Sequence, residues 1–308
     1  MAEAPTRWSA HTGGVVLALA GAIAFSGKAI IVKLSYRYGV DAVTVIMYRM
    51  LMALPFFLAI AWWASRRPHA LANPLSRRDA WAIAGLGFLG YYLASFLDFM
   101  GLQTITASLE RLILYLNPTL VLLLSSVIYK HPIHLRRAVA MAISYAGVCV
   151  VFAHELNFGG TGAAIGSAFV LASAFSYALY LMFSGQMVKR VGALRLVGWA
   201  SSVACLCCLL QFAILKPMSA ALVAPQVLWL ALLNATACTV APVLLVMLAI
   251  ERIGAALTSQ VGMVGPMATL SLGVLVLGEP LNMWIGLGTL LVLGGVYMAS
   301  QTGDKTWT

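Results

Sequence analysis

Five ionisable side chains, Lys28, Arg49, Asp98, Glu110 and Arg111, lie inside long runs of apolar residues. A charge at the centre of a bilayer costs roughly 2.5–3.5 kcal/mol on insertion scales, so each one asks for a partner of opposite sign or a water-filled cavity. Cations and carboxylates in this arrangement can form a network that is paired in one conformational state and separated in another, as an outer gate or entrance would be. The plainer reading is a set of separate helix-end residues, with Lys28 snorkelling outward and Arg49 reaching the headgroups. Successive residues of a helix are about 100° apart, so adjacent Glu110 and Arg111 have different partners. Glu110 with Lys28 is the expected pair.

A second group is polar or aromatic without charge. Tyr91, Tyr92, Tyr115, Asn117, Tyr177, Tyr180, Trp199, Ser259 and Gln260 offer hydrogen bonds and ring faces to a small solute. In a membrane helix the same side chains also serve as packing groups and interfacial anchors. Pro118 and Pro266 each fall in the middle of an apolar run, where proline removes a backbone hydrogen bond and bends the helix. The bend is either a hinge or a static kink, and the freed carbonyls can meet polar groups of a solute.

Catalytic and metal chemistry find no support. The histidines His11, His69, His131, His134 and His154 lie in loops or at run ends, no HExxH stretch is present, and no glycine loop follows a strand. The five cysteines, Cys149, Cys205, Cys207, Cys208 and Cys238, sit in apolar runs without paired ligand spacing. No metal, no cofactor and no enzyme activity are expected.

The elements that carry these residues are set by composition. Hydrophobic residues make up 62% of the 308 positions and charged residues 9%, with mean hydropathy +0.95. An ordinary soluble domain is about 25% charged. Apolar runs, each near the roughly 20 residues that cross a bilayer as a helix, extend over Gly14 to Val32, Thr44 to Ala64, Ala80 to Met100, Ala107 to Tyr129, Leu135 to Ala153, Gly162 to Val188, Leu196 to Leu215, Val227 to Ile250, Ala255 to Leu277 and Met283 to Ala299. They are continuous and rich in Leu and Ala, unlike the alternating strands of a membrane barrel. The first is long and carries Lys28 and Lys33, which marks it as a span and not a cleaved signal. The predicted fold is an all-α polytopic membrane protein of ten transmembrane helices.

The net charge of +10 is distributed unevenly. With the N-terminus inside, the inner loops hold thirteen of the nineteen Lys and Arg residues, and the outer loops hold Lys33, Arg37 and Lys216. The positive-inside rule then places both termini in the cytoplasm and brings the five intramembrane charges toward the outer face. Nucleic acid is not the partner of this basic charge; the bilayer is.

A shift of 148 superposes Ile105, Ala107, Leu109, Pro118, Leu122, Leu124, Pro132, Gly147 and Val148 on Ile253, Ala255, Leu257, Pro266, Leu270, Leu272, Pro280, Gly295 and Val296. A shift of 152 brings Gly14, Leu19, Ala20 and Ala22 onto Gly166, Leu171, Ala172 and Ala174. Each repeat, 14–153 and 162–299, has five runs, and five is odd. The second copy must therefore cross in the opposite sense, which is the inverted-repeat plan of many secondary transporters. Under these shifts Lys28 meets Tyr180 and Glu110 meets Thr258, so the path is charged at one end and merely polar at the other.

Gly265-Pro266, Leu277-Gly278-Glu279-Pro280, Gly286 and Gly294-Gly295-Val296 resemble the end of an EamA domain of the drug/metabolite transporter superfamily. Ala107-Ser108-Leu109, Asn117-Pro118 and Gly147-Val148 echo it in the first half, with Lys130-His131 in place of the Gly-Glu pair. The resemblance implies an inverted pseudo-twofold and a central cavity walled by the first four helices of each half. It implies an exporter of amino acids, aromatic and other neutral ones, or of related small metabolites; a monomer in a bacterial inner membrane is expected. Rival substrates are nucleosides, nucleotide sugars and drug-like cations; an intramembrane enzyme or a channel is the reading from another class. Proton coupling through Asp98 or Glu110 and simple downhill transport both remain open.

Overall fold

The computed structural model describes residues 7–68, 70, 73–130, 135–253, 258, 261–262, 264–280 and 282–301. Among them all regular structure is helical. Eight helices are long and apolar enough to cross a bilayer: α1 (Thr12–Tyr36), α2 (Ala42–Ser65), α3 (Arg77–Leu102), α4 (Ala107–Tyr129), α5 (Leu135–Asn157), α6 (Gly160–Val191), α7 (Ala193–Leu215) and α8 (Pro225–Ile250). Two shorter apolar helices follow, α9 (Gly265–Leu277) and α10 (Met283–Met298). The ninth run, expected from Ala255, is thus a described helix only from Gly265, where Pro266 opens a new helical segment. The protein is a multi-pass membrane protein.

The helix ends follow from local chemistry. Asp41 caps α2 by accepting from the backbone N–H groups of Val43 and Thr44, and Ser76 with Asp79 forms a reciprocal capping box at α3. Gly160 (φ 53°) and Gly192 (φ 86°) supply the left-handed backbone that ends α5 and α6. The ends of α4 and α9 are related: Lys130 (φ 56°) and Gly278 (φ 71°) both turn left-handed, and they are 148 residues apart. At Lys130 this backbone costs a β-carbon clash that Gly278 escapes.

The duplication is visible inside the helices and between them. One-turn π-helical segments interrupt α3 at Phe88–Leu93 and α8 at Thr236–Val240, again 148 residues apart. α1 packs along α8 and α3 along α6, while α2 pairs with α7, α4 with α9 and α5 with α10. Gly14 lies against Ile253, and Gly166, its counterpart at the shift of 152, lies against Ile105, the counterpart of Ile253 at 148. Between α5 and α10, a β-carbon on Gly147 would stand 2.9 Å from Val292 N and one on Gly295 would stand 2.7 Å from Ser144 N. Backbones this close gain dispersion contacts, the main attraction between helices in lipid, and only glycine permits them.

Ile46, Met50, Phe57, Phe99 and Leu102 form the largest buried cluster with Cys205 and Cys208. Trp62, Trp63, Leu210, Ile214 and Leu290 are exposed and clad the outside, where lipid takes the place of water. Arg66 and Arg67 lie over the rings of Trp62 and Trp63, at 3.8 and 4.0 Å. Such amphipathic pairs suit the headgroup level.

Candidate functional site

The intramembrane charges converge. Lys28 Nζ of α1 donates to Asp98 Oδ2 of α3 at 2.6 Å and lies 3.5 Å from Glu110 Oε1 of α4. The expected Lys28–Glu110 pair is therefore one edge of a triad in which Asp98 is the nearer partner. Glu110 is fully buried and Asp98 nearly so. Among the described residues Asp98 Oδ1 and both Glu110 oxygens receive no hydrogen bond. Two carboxylates thus share one ammonium in a low-dielectric interior, an arrangement that breaking on either side penalises heavily.

The two arginines flank this triad and do not join it. Arg49 is buried against the Phe99 ring at 4.7 Å, and its Nη2 donates to Ser95 Oγ at 3.0 Å. It does not reach the headgroups as its place near a run end suggested, because the Phe99 face and Ser95 hold it inward. Arg111 lies over Phe25 at 5.1 Å, and its Nη2 donates to Ser26 Oγ at 3.1 Å. Ser26 Oγ in turn has its hydroxyl within reach of Ala22 O at 2.7 Å and of Gly265 O at 2.8 Å, which brings α1 and α4 against the start of α9.

A cavity of about 540 Å³ adjoins these groups. Lys28, Arg49, Asp98 and Arg111 line it together with Tyr91, Tyr115, Asn117 and Tyr177, and the walls between are Phe25, Phe57, Pro242, Val243, Val246 and Met247. α1 to α4 and α6 to α8 all contribute, with Thr258 and Gly262 from the segment ahead of α9; among the described residues α5 and α10 contribute none. Volume and lining, apolar with a few convergent polar groups, are those of a small-molecule site.

The prolines sit beside it. Pro118 and Pro266 each begin a helical segment after a break, at Tyr115–Leu116 in α4 and at Val264 before α9. A residue at 118 would normally donate to Leu114 O, and one at 266 to Gly262 O. Asn117 Nδ2 takes over Leu114 O at 2.7 Å, and the Tyr115 hydroxyl takes over Gly262 O at 2.6 Å. The second of these bonds crosses from one repeat to the other.

Three of the aromatic candidates lie off the cavity. Tyr92 packs between Phe88 and Phe96, with ring centroids at 5.0 and 6.5 Å. Tyr180 stands behind the wall, its hydroxyl 3.1 Å from that of Tyr91 and its ring stacked on Tyr177. Trp199 is 37% exposed and donates to Ser65 Oγ on the outer surface of α2 and α7. Ser259 and Gln260 lie outside the described residues.

Several partners carry no single-sequence signal. Beyond the triad, Lys33 Nζ donates to Ile105 O at 2.6 Å, the Tyr36 hydroxyl to Phe99 O at 2.7 Å and Arg37 to Leu277 O at 2.7 Å. Glu279, noted in the sequence only within the Gly-Glu-Pro turn, accepts from Ala107 N at 2.7 Å and from Ser108 Oγ at 2.8 Å, so a carboxylate of the second repeat caps the α4 helix of the first. Gly273 makes room for it, since a β-carbon there would stand 2.9 Å from Glu279 Oε2. Glu155 accepts from Thr106 N and Oγ1 at the same helix start. These contacts tie the last turns of α1 to the ends of α3 and α9 and to the start of α4.

At the α2 cap, burial pushes the Asp41 carboxyl up, but hydrogen bonds from Thr44 and from Lys216, whose Nζ is at 3.2 Å, outweigh it and hold the group below its ordinary value.

The profile of the EamA-like transporter family matches residues 12–153 and again 164–301. The chain belongs to the EamA-like transporter family. An uncharacterized transporter of Bacillus subtilis (strain 168), YcbK, is 30% identical over 320 aligned residues that cover 99% of each chain. A second uncharacterized transporter of the same organism, YoaV, is 22% identical over 72% of this chain and 74% of its own. One protein crystal structure matches with a TM-score of 0.61 at 14% identity, over 97% of this chain and 100% of that one, and shows the fold alone. This EamA chain is a membrane transporter, not an enzyme.

Proposed function

We propose that the protein is a secondary transporter that exports amino acids, aromatic and other neutral ones, or closely related small metabolites, across a bacterial inner membrane by alternating access. The observation that carries this reading is the cavity of about 540 Å³ between the two repeats, lined by Tyr91, Tyr115 and Tyr177 and bounded at one end by Lys28 and Asp98. Its size suits an amino acid, and its rings and phenols suit an aromatic one. The sequence resemblance within the superfamily, to the amino-acid exporter YddG, supplies the substrate class.

In this reading ten helices cross the membrane as two inverted five-helix units, 14–153 and 162–299, with both termini in the cytoplasm and the chain acting as a monomer. The Lys28 end is then the outer end, and its ion pairs and caps form the outer gate. Pro118 and Pro266 are the hinges about which α4 and α9 bend. Asp98 and Glu110 carry the coupling proton, because one ammonium leaves oxygens of both carboxylates without donors.

Counterflow in proteoliposomes tests the substrate class. Labelled L-phenylalanine should accumulate against unlabelled neutral amino acids, and nucleosides and quaternary ammonium ions should not compete. Accumulation driven by nucleosides or cations alone would replace the amino-acid reading with one of its rivals.

A further inference from the structure

Arg49 and Arg111 are the least satisfied cations in the molecule's described interior. Both are buried, at 4% and 7% exposure, and both line the cavity. A guanidinium carries five N–H donors in a planar fork. Each of these spends one nitrogen on a serine hydroxyl, that of Arg49 also contacting Met50 Sδ at 3.9 Å, and the Nε of each is buried without a partner among the described residues. Among the described residues neither has a carboxylate within ion-pair distance, because Asp98 and Glu110 both face Lys28. Buried cations left in this condition are strongly unfavourable unless something else supplies the negative charge.

The local charge balance gives the same direction. Three cations face two carboxylates, so the wall keeps an excess positive charge even with both carboxylates ionised. Phe99 lies against Arg49 away from the cavity lining, Phe25, itself a cavity wall, lies against Arg111, and both guanidiniums line the cavity. Two forks with free donors, set in an apolar wall, match a planar oxyanion carried on an apolar skeleton. Among the described residues the one carboxylate that lines the cavity is Asp98, whose charge Lys28 already answers at 2.6 Å through Oδ2, so a substrate ammonium would have to compete with Lys28 for it.

We propose that Arg49 and Arg111 hold the carboxylate of the transported molecule, so that the cavity selects small organic carboxylates with apolar or aromatic skeletons and does not require an amino group. The inference rests on the reading of this cavity as the transport site and narrows its substrate class. A phosphate shares the oxyanion chemistry, but a carboxylate fits the bidentate fork with less charge to desolvate among Phe57, Val243 and Met247.

The test is ligand-dependent thermal unfolding of the purified full chain in detergent, titrated separately with L-phenylalanine, hydrocinnamate, L-phenylalaninamide and phenyl phosphate. Phenylalanine and hydrocinnamate should bind with similar affinity, and the amide roughly tenfold or more weakly, because it leaves both guanidiniums unanswered. Arg49→Gln and Arg111→Gln should each weaken hydrocinnamate by about tenfold or more, with Arg111→Lys retaining part of it. The ranking on the unaltered chain decides the matter even if a variant does not fold. Equal binding of the amide and the acid, no binding of either carboxylate, tighter binding of phenyl phosphate, or unchanged affinity in both folded glutamine variants would overturn the proposal. The two readings fail separately. Carboxylate-selective binding without counterflow of any bound compound would sink the transport role alone, and counterflow of phenylalanine with equal binding of its amide would sink the carboxylate site alone.

Discussion

At the scale of single residues, the charged triad is the feature whose energetics are largest. Lys28→Met would leave Asp98 and Glu110 without their cation and should destabilise the protein by about 3–5 kcal/mol. Asp98→Asn added to it should restore part of that loss, because the pair interacts at 2.6 Å. Thermal unfolding of the single and double variants measures the coupling, and additivity within about 0.5 kcal/mol would dissolve the network into independent charges. Asp41 supplies a pH test. Its carboxyl is held below the ordinary value in the folded chain, so its contribution is present above about pH 4 and is lost as pH falls through the folded value. Asp41→Asn should flatten that acid limb of stability; an unchanged acid limb would remove Asp41 as its source. The charges themselves were legible in the sequence, because an ionisable group in an apolar run is conspicuous. Their partners were less so: that Asp98 outranks Glu110, or that Ser26 and Ser95 take the arginines, depends on which helix faces meet.

At the scale of elements, the repeat was the most legible feature and the helix faces the least. The shifts of 148 and 152 reappear as matched contacts, Gly14 with Ile253 and Gly166 with Ile105, because a duplicated sequence repeats its packing. Trp199 and Tyr91 looked alike in the sequence. One faces outward and the other lines the cavity, and only the neighbours of α7 and α3 decide which. Glu279 stood in a visible motif, yet its role as a cap on α4 joins residues 172 positions apart. The prolines carry the prediction at this scale. If α4 and α9 bend at Pro118 and Pro266, then Pro118→Ala and Pro266→Ala should lower the maximal transport rate more than they change half-saturation. Tyr115→Phe should do likewise, since it strands Gly262 O in the bent state at a cost of about 1–3 kcal/mol. A change in half-saturation alone would make these residues binding groups and the bends static.

At the scale of the whole molecule, two similar halves line a cavity to which they contribute chemically unlike groups. On one side stand Lys28 and Asp98, with Glu110 behind them and Glu279 capping α4; in the second repeat the equivalents of Lys28 and Glu110 are Tyr180, behind the wall, and Thr258, on it. A rocking motion that exchanges the conformations of two such halves would expose the cavity first on one side and then on the other. If the contacts on the Lys28 side are the outer gate, those of Glu279 with Ala107 and Ser108 would have to break in that exchange. The most direct measurement is sided labelling of a single cysteine at Thr239, on the cavity wall, in a chain whose native cysteines are replaced. An impermeant thiol reagent should reach it from both sides in right-side-out and inverted vesicles, and Glu279→Ala should raise the rate from the outside relative to the inside. Reaction from one side only, unchanged by Glu279→Ala and by transported solute, would contradict alternating access.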